Sequence, residues 1–309
     1  MTAFAPATVS NVACGFDILG FALTAPGDEV TAGLRPETGV VISTIEGDGG
    51  RLPRDTGLNT AGVAAETLLN IAGIRQGVSL DVRKALPLAS GLGGSAASAV
   101  ASVVAVNELL HVNASPEMLI RCALAGERVA SGAAHPDNVA PALVGGFVLA
   151  RSADPPDVIR LPIPAGLACA VVRPHIEIHT GEARALLGDS IRLSDAVKQW
   201  ANVAGLIAGL YRSDHELIAR SLEDYVAEPI RSLKVPGFSA MKRAALEAGA
   251  LGCSLSGSGP AVFALCRTEA DAARAGAAMI AALRGSIGAD LYVSPISPHG
   301  ARVIAESDV

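Results

Sequence analysis

Aromatic side chains are scarce in this chain: one Trp, three Tyr and six Phe, or 3% of 309 residues. A core with so few rings must be filled by Ala, Val, Leu and Ile. Charge is also sparse. Charged residues make up 17% against 50% hydrophobic ones, the reverse of the balance that keeps a chain disordered. The formal net charge is -6 and Lys and Arg form no cluster, which argues against a nucleic-acid partner. An acidic protein can still hold a nucleotide where backbone amides and a metal do the binding.

Cysteine is present without a pattern. The five are Cys14, Cys122, Cys169, Cys253 and Cys266, an odd number with no C-x-x-C pair, so neither a disulfide framework nor a zinc site is expected. Buried free thiols in a reducing cytoplasm are the expectation. No uninterrupted apolar run reaches the ~18 residues of a membrane span, so no membrane association is expected. The opening MTAFAPATVS lacks the basic region of a signal peptide. No Gly-Lys-Ser or Gly-Lys-Thr occurs, which excludes a Walker A loop.

The elements that are present read as mixed α+β. Strands are expected near Thr2–Ala5, Glu29–Leu34, Val40–Ile45 and Val78–Arg83, and Asn59 is placed to cap a helix. Residues 95–110 are apolar almost all round, the mark of a buried helix. Ser115-Pro116 opens the next helix, to about Ala130. The segment SGAAHPDN reads as a polar loop, and Val144–Ala150 as a strand. The Pro-rich stretch 151–166 is the candidate boundary, giving an N-terminal domain over 1–155 and a C-terminal domain over 156–309. Beyond it come a strand at Leu167–Arg173, helices near 194–211, 214–222 and 236–248, and a strand at Ala261–Cys266. A helix capped by Thr268 follows, with closing strands at Asp290–Ile296 and Ala301–Ala305.

The sharpest chemical feature is Pro87-Leu-Ala-Ser-Gly91-Leu-Gly93-Gly94-Ser95-Ala-Ala-Ser98. Glycines let a backbone turn tightly and approach a ligand, and a helix N-terminus adds unpaired N–H groups. A plain tight turn competes with a phosphate cradle here. A dinucleotide fingerprint does not, because Pro87 and other residues separate the strand from Gly91 and no acid follows at the expected distance. Glu127 on the next helix reads either as a solvated turn or, with Ser95, as a hard oxygen pair for Mg²⁺. His135, Asp137 and Asn138 crowd one loop, either as turn formers or as site residues on a scaffold. Ser254-Leu-Ser256-Gly257-Ser258-Gly259-Pro260 reads as a second glycine wall. Asp17, after Gly15-Phe16, is either part of a plain turn or a counter-ion for a substrate ammonium.

Together these segments resemble the GHMP kinase superfamily, named for its galactose, homoserine, mevalonate and phosphomevalonate members. Residues 87–98 are similar to its P-x-x-x-G-L-G-S-S-A motif, with Gly94 where the first Ser of that pattern stands. SLSGSGPAVFAL resembles the C-terminal glycine motif. NVACGFDILG, GERVASGAAHPDNVAPALVGGF, HTGEARALL and EPIRSLKVPGF are most similar, in the same order, to the homoserine kinase family.

The resemblance implies a two-lobe fold: an N-terminal nucleotide-binding lobe, a C-terminal ferredoxin-like α/β lobe and the site between them. It implies an ATP-dependent phosphotransferase with an alcohol acceptor, using Mg²⁺ and L-homoserine, in threonine biosynthesis. The family's nucleotide positions fall on Asn59, Pro87, Ser90, Gly91, Leu92, Gly93, Gly94, Ser95, Ala96 and Ser98. Its metal positions fall on Ser95 and Glu127. Its substrate positions fall on Asn11, Asp17, His135, Asn138, Thr180, Arg184, Arg231 and Gly257. The catalytic group is Asn138, Glu127 and Ser95.

The chemistry agrees with this carry-over. Asp17 suits an ammonium, and two arginines suit a carboxylate. Phosphoryl transfer needs mainly alignment and charge neutralisation, so Asp137 is read as structural support rather than a required base. The alternative is a superfamily kinase with another alcohol acceptor, shikimate or mevalonate, of which mevalonate lacks the ammonium that Asp17 suits. A non-catalytic sensor of the same fold is disfavoured by the intact Ser95 and Glu127. A homodimer stays open.

Overall fold

The computed structural model describes residues 1–285 and 287–304. Its first half is built on a seven-stranded sheet of order β11-β1-β2-β4-β3, with β5 pairing β2 and β6 pairing β5. These strands are β1 (Thr2–Ser10), β2 (Leu19–Arg35), β3 (Val40–Glu46), β4 (Gly77–Arg83), β5 (Phe147–Ala153), β6 (Pro156–Leu161) and β11 (Arg302–Ile304). Four helices accompany them: α1 (Thr60–Ala72), α2 (Gly94–Leu109), α3 (Pro116–Ser131) and α4 (Pro136–Val144). Helix α2 packs on β1 and β2 and against α1, α3 and α4. Its residues from Ala96 to Val103 are all buried, as a helix without a polar face requires.

The second sheet has the order β10-β7-β9-β8, from β7 (Ala168–Pro174), β8 (Gly252–Leu255), β9 (Val262–Cys266) and β10 (Ala289–Pro295). All its pairings are antiparallel. With helices between β7 and β8 and between β9 and β10, this is the split βαββαβ arrangement of a ferredoxin-like lobe. The helices are α5 (Thr180–Ala185), α6 (Leu193–Arg212), α7 (His215–Ser221), α8 (Glu228–Arg231), α9 (Phe238–Glu247) and α10 (Glu269–Ala282).

Strand alternation gives this sheet two apolar faces. Ala168, Ala170 and Val172 meet Met241, Ala245, Ala275 and Met279 of α9 and α10. Cys169, Val171, Phe263 and Leu265 join the larger core that also holds the first sheet and α2. Phe21 lies at that joint: its ring lies 5.0 Å from Phe147 and 6.2 Å, edge-on, from Phe263. All three rings are fully buried, each contributing roughly 1.5–3 kcal/mol.

Several caps follow the sequence reading. Asn59 Oδ1 accepts from the Ala61 N–H at 3.0 Å, and Ser115 Oγ accepts from the Met118 N–H at 3.2 Å. Other elements differ. Strand β2 begins ten residues before the expected Glu29: Gly20 is paired by both β1 and β5, and Pro26, which has no N–H to give, falls where the register with β1 shifts between Ala22 and Gly27. The expected loop 131–138 is partly the start of α4, with Pro136 at its first position, where no N–H is needed. The expected boundary at 155/156 falls in a hairpin turn. Pro156–Leu161 pair with Phe147–Ala153 and stay with the first sheet, and Arg302–Ile304 return to it beside β1. Of the closing strand expected at 301–305, Ala305 lies outside the described residues.

Candidate active site

The loop between β4 and α2 ends on Gly91 and Gly93, with φ of 81° and 69°, the left-handed region that favours glycine. Both are also sites of close approach. A Cβ on Gly91 would come 2.6 Å from Ser256 O, and one on Gly93 would overlap the Thr8 hydroxyl and reach 2.9 Å from Asn138 Oδ1. Gly93 caps α2 without a side chain. The first-turn N–H groups therefore have no side-chain acceptor, which suits them to an anion.

Beneath this loop lies a buried ion pair that sequence reasoning missed. Lys84 bonds Asp28, Gly94 O at 2.7 Å and Ser98 Oγ at 2.8 Å. Asp28 in turn accepts from the N–H groups of Ala85 and Leu86, each at 3.0 Å. The side chains of Lys84 and Asp28 are 2% and 0% exposed, so the pair ties β2, the loop and the first turn of α2 together without solvent. Positions 28 and 84 carry no local signal; only the β2–β4 pairing brings them together. The second glycine segment braces the first from behind. Ser256 Oγ donates to Gly91 O at 2.6 Å and the Ala261 N–H donates to Ser90 O at 3.1 Å.

These elements border one cavity of about 520 Å³. One end has an apolar wall of Leu52, Pro53, Leu58, Val82 and Leu88 beside Asn59. Pro87, Ser90, Gly91, Gly93, Gly94, Ser95 and Ser98 line its middle. The other end gathers Asn11, Asp17, His135, Asn138, Thr180, Arg184, Arg231 and Gly257. The side chains of two expected nucleotide residues do not line it: Leu92 and Ala96 are fully buried in the core, which leaves their backbone as the part that belongs to the loop. Leu92 instead gives its carbonyl to the Thr8 N–H at 3.1 Å.

The polar end rests on an unusual turn. Asn11, Val12 and Ala13 have φ of 66°, 44° and 57°, and Asp17 has 63°, conformations that L-residues adopt at a cost. The fold over-determines them. Val12, Ala13 and Cys14 are buried, the Asn11 side chain accepts from the Asp17 N–H at 3.1 Å and donates to Gly257 O at 2.9 Å, and Gln199 donates to Cys14 O at 2.7 Å. Gln199 also accepts from the Tyr225 N–H at 2.8 Å, linking the turn to the segment that leads into Arg231.

The charges at this end meet across elements. Arg184 Nη2 donates to Asp17 Oδ2 at 2.5 Å. Arg231 is 4% exposed and donates to Ala183 O and Gly257 O, each at 3.3 Å. Burial lowers the Arg231 pKa, and Arg184 pushes the same way against Asp17. Thr180 Oγ1 lies 3.5 Å from Ser258 Oγ. Thr8 donates its hydroxyl proton to Asn138 Oδ1 at 2.8 Å, which leaves the amide NH₂ as the donor edge of Asn138.

Carboxylates crowd the floor. Glu127 Oε1 lies 3.3 Å from His135 Nδ1. Burial alone would lower the His135 pKa, but Glu127, with Asp137 and Asp17 adding, holds it above the usual value. Burial pushes the Asp137 carboxyl up to about 7; His135 opposes this and Asp17 adds to it. Asp137 Oδ2 accepts from the Asn11 N–H at 3.3 Å, while its buried Oδ1 has no hydrogen-bond partner. Ser95 on the first turn of α2 and Glu127 on α3 border the same cavity. Among the described residues no three His, Cys, Asp or Glu gather as a protein-only cage. Two hard oxygen donors near the N-terminus of α2 fit Mg²⁺, which Ser95 and Glu127 would hold together with phosphate oxygens and water. No helix among the described residues is long and apolar enough to cross a membrane.

Comparison with known proteins gives the family. The sequence pattern of the GHMP kinases N terminal domain matches residues 59–146, and that of the GHMP kinases C terminal domain matches residues 206–285. A homoserine kinase of Chlorobium phaeobacteroides (strain BS1) is 48% identical over 98% of this chain and 99% of its own length. The crystal structure of homoserine kinase from Cytophaga hutchinsonii superposes with a TM-score of 0.95 at 50% identity, covering 98% of this chain and 97% of that one. A Leishmania mevalonate kinase (L. major) at 16% identity, with a TM-score of 0.70 over 96% of each chain, shares the fold. The chain belongs to the homoserine kinase family of the GHMP kinases.

Proposed function

We propose that this chain transfers the γ-phosphate of ATP to the hydroxyl of L-homoserine, giving O-phospho-L-homoserine in threonine biosynthesis. The observation that carries this reading is the pairing of Asp17 with Arg184 and Arg231 at the end of the cavity beyond the phosphate loop. An acidic group and two guanidinium groups in one small space complement a zwitterion. Mevalonate and galactose carry no ammonium for Asp17, and shikimate offers only a carboxylate.

In this reading residues 1–161 with 302–304 form the nucleotide lobe. The base and ribose lie along the apolar wall by Asn59, and the phosphates lie over residues 87–95. The first-turn amides of α2 hold phosphate oxygens, with the turn kept in place by Lys84 through Gly94 O. Ser95 and Glu127 hold Mg²⁺, which supplies neutralisation of phosphate charge. Asp17 takes the ammonium of the acceptor, and Arg184 and Arg231 take its carboxylate. Thr8 holds Asn138 by its carbonyl oxygen, so the Asn138 amide orients the acceptor hydroxyl toward the phosphates. Alignment within a closed site supplies most of the acceleration. A cytoplasmic setting suits an enzyme whose five cysteines are all free and buried.

The test is ADP release, coupled to a detection enzyme, over homoserine, shikimate, mevalonate and galactose. Turnover with homoserine well above the other three is the expected result; preference for any other acceptor overturns the reading.

A further inference from the structure

The two guanidinium groups of the acceptor end converge on one aromatic ring. Arg184 Cζ lies 5.5 Å from the Phe16 ring centroid and Arg231 Cζ lies 5.1 Å from it, both within the ~6 Å reach of a cation–π contact. Phe16 sits between Gly15 and Asp17 on the left-handed turn, half-buried, in a chain with only six Phe. The arginines arrive from α5 and from α8, separated by more than forty positions of chain.

Two like charges brought together repel, and something must hold them. Arg231 has backbone carbonyls for this. Arg184 relies on Asp17, and its buried Nε has no hydrogen-bond partner. An arriving ammonium competes for Asp17, and Arg184 then loses its counter-ion at the moment its aim matters. A second carboxylate could hold both arginines, but it would repel the incoming carboxylate and compete with it. A ring face attracts both cations while adding no formal charge, and guanidinium planes lie well against it.

We propose that Phe16 is a positioning residue: its ring holds Arg184 and Arg231 as a paired fork and so sets the preference for acceptors that bear a carboxylate. This rests on the proposed homoserine reading.

The test is steady-state kinetics of the full chain with homoserine and with 3-aminopropan-1-ol, which is homoserine without its carboxylate. The latter is followed as a substrate or, where turnover is too slow, as a competitive inhibitor. Wild type that fails to phosphorylate homoserine defeats the parent reading, whatever Phe16 does. Given wild-type turnover, Phe16→Leu is expected to raise the homoserine KM about tenfold and to leave the ATP KM within about twofold. The preference for homoserine over 3-aminopropan-1-ol narrows by the same factor, and Phe16→Tyr keeps near wild-type constants. Incorporation of 3,4,5-trifluorophenylalanine at position 16 keeps the ring's shape and weakens its face, so it raises the homoserine KM in the same sense. This arm decides the matter if Phe16→Leu does not fold. An unchanged homoserine KM in the fluorinated protein, or an equal loss with both acceptors in Phe16→Leu, overturns the proposal.

Discussion

The Arg184 guanidinium donates to the Asp17 carboxylate at 2.5 Å, so two residues proposed for opposite charges of one substrate are each other's counter-ion. Binding a zwitterion exchanges this ion pair for two others without burying net charge. Asp17→Asn is expected to lower kcat/KM for homoserine roughly tenfold, the low end for a charge-assisted bond of about 1.5 kcal/mol, because the Asp17 side chain is 36% exposed. ATP affinity stays unchanged. Discrimination against 4-hydroxybutyrate, which lacks the amino group, narrows. Wild type that uses 4-hydroxybutyrate as well as homoserine refutes the assignment.

Ser95→Ala and Glu127→Gln each remove one proposed oxygen ligand of the metal. Each is expected to lower kcat roughly 100-fold, about 3 kcal/mol, and to raise the Mg²⁺ concentration for half-maximal rate. Near wild-type Mg²⁺ titrations in both variants would remove these residues from the metal site.

Lys84→Met leaves Asp28 buried with its charge uncompensated. The expected loss is about 3–5 kcal/mol in urea unfolding, together with weaker ATP binding as Gly94 O loses its donor. Adding Asp28→Asn recovers much of the stability without restoring the nucleotide affinity. Equal recovery of both would show that the pair serves the fold alone.

Gly93 and Gly94 differ despite being neighbours. Gly93 has φ of 69° and no room beside Thr8 and Asn138, whereas a Cβ on Gly94 meets Leu86 and Lys84 at 3.4 and 3.5 Å. Gly93→Ala is expected to raise the KM of both ATP and homoserine, since it displaces Asn138 as well as the loop. Gly94→Ala stays within about threefold of wild type. Similar losses in the two variants would contradict this account.

Asp137 contributes a pH dependence. Its carboxyl is raised to about 7 by burial, so the native state binds a proton more tightly than the unfolded chain. Stability from this group is present at low pH and is lost as pH rises from about 4 through about 7. Asp137→Asn removes the titration. Wild type is therefore expected to lose stability relative to the variant between about pH 5 and about pH 8 in urea unfolding. His135, also held up, titrates in the same direction, which is why the comparison is a difference against the variant. A constant gap across that range would rule the shift out.

The glycine loop and its helix were legible because their signals are local. The glycines Gly91 and Gly93, a Ser at the mouth of the helix and a helix with no polar face follow one another in residues 91–109, and the structure joins them as one loop-to-helix turn. Leu92 and Ala96 matched the motif, and with their side chains buried in the core only their backbone is left to face a ligand. The early start of β2 was not legible: Gly20 is held by β1 and β5 on either side, and Pro26 sits at a register shift against β1 in a strand of seventeen residues. The Pro-rich stretch 151–166 read as a boundary, and its residues Pro156–Leu161 pair in a hairpin with β5.

Composition, the order of motifs and the helix caps determined by themselves that this is an α+β chain with a glycine-rich turn leading into a buried helix, because each of those properties lies in short contiguous segments. Only the tertiary structure decided that Lys84 meets Asp28, that Thr8 orients Asn138 across 130 positions and that Phe16 faces two arginines. Those contacts arise from strand pairing and lobe packing, and side chains brought together that way leave no spacing in the sequence to read.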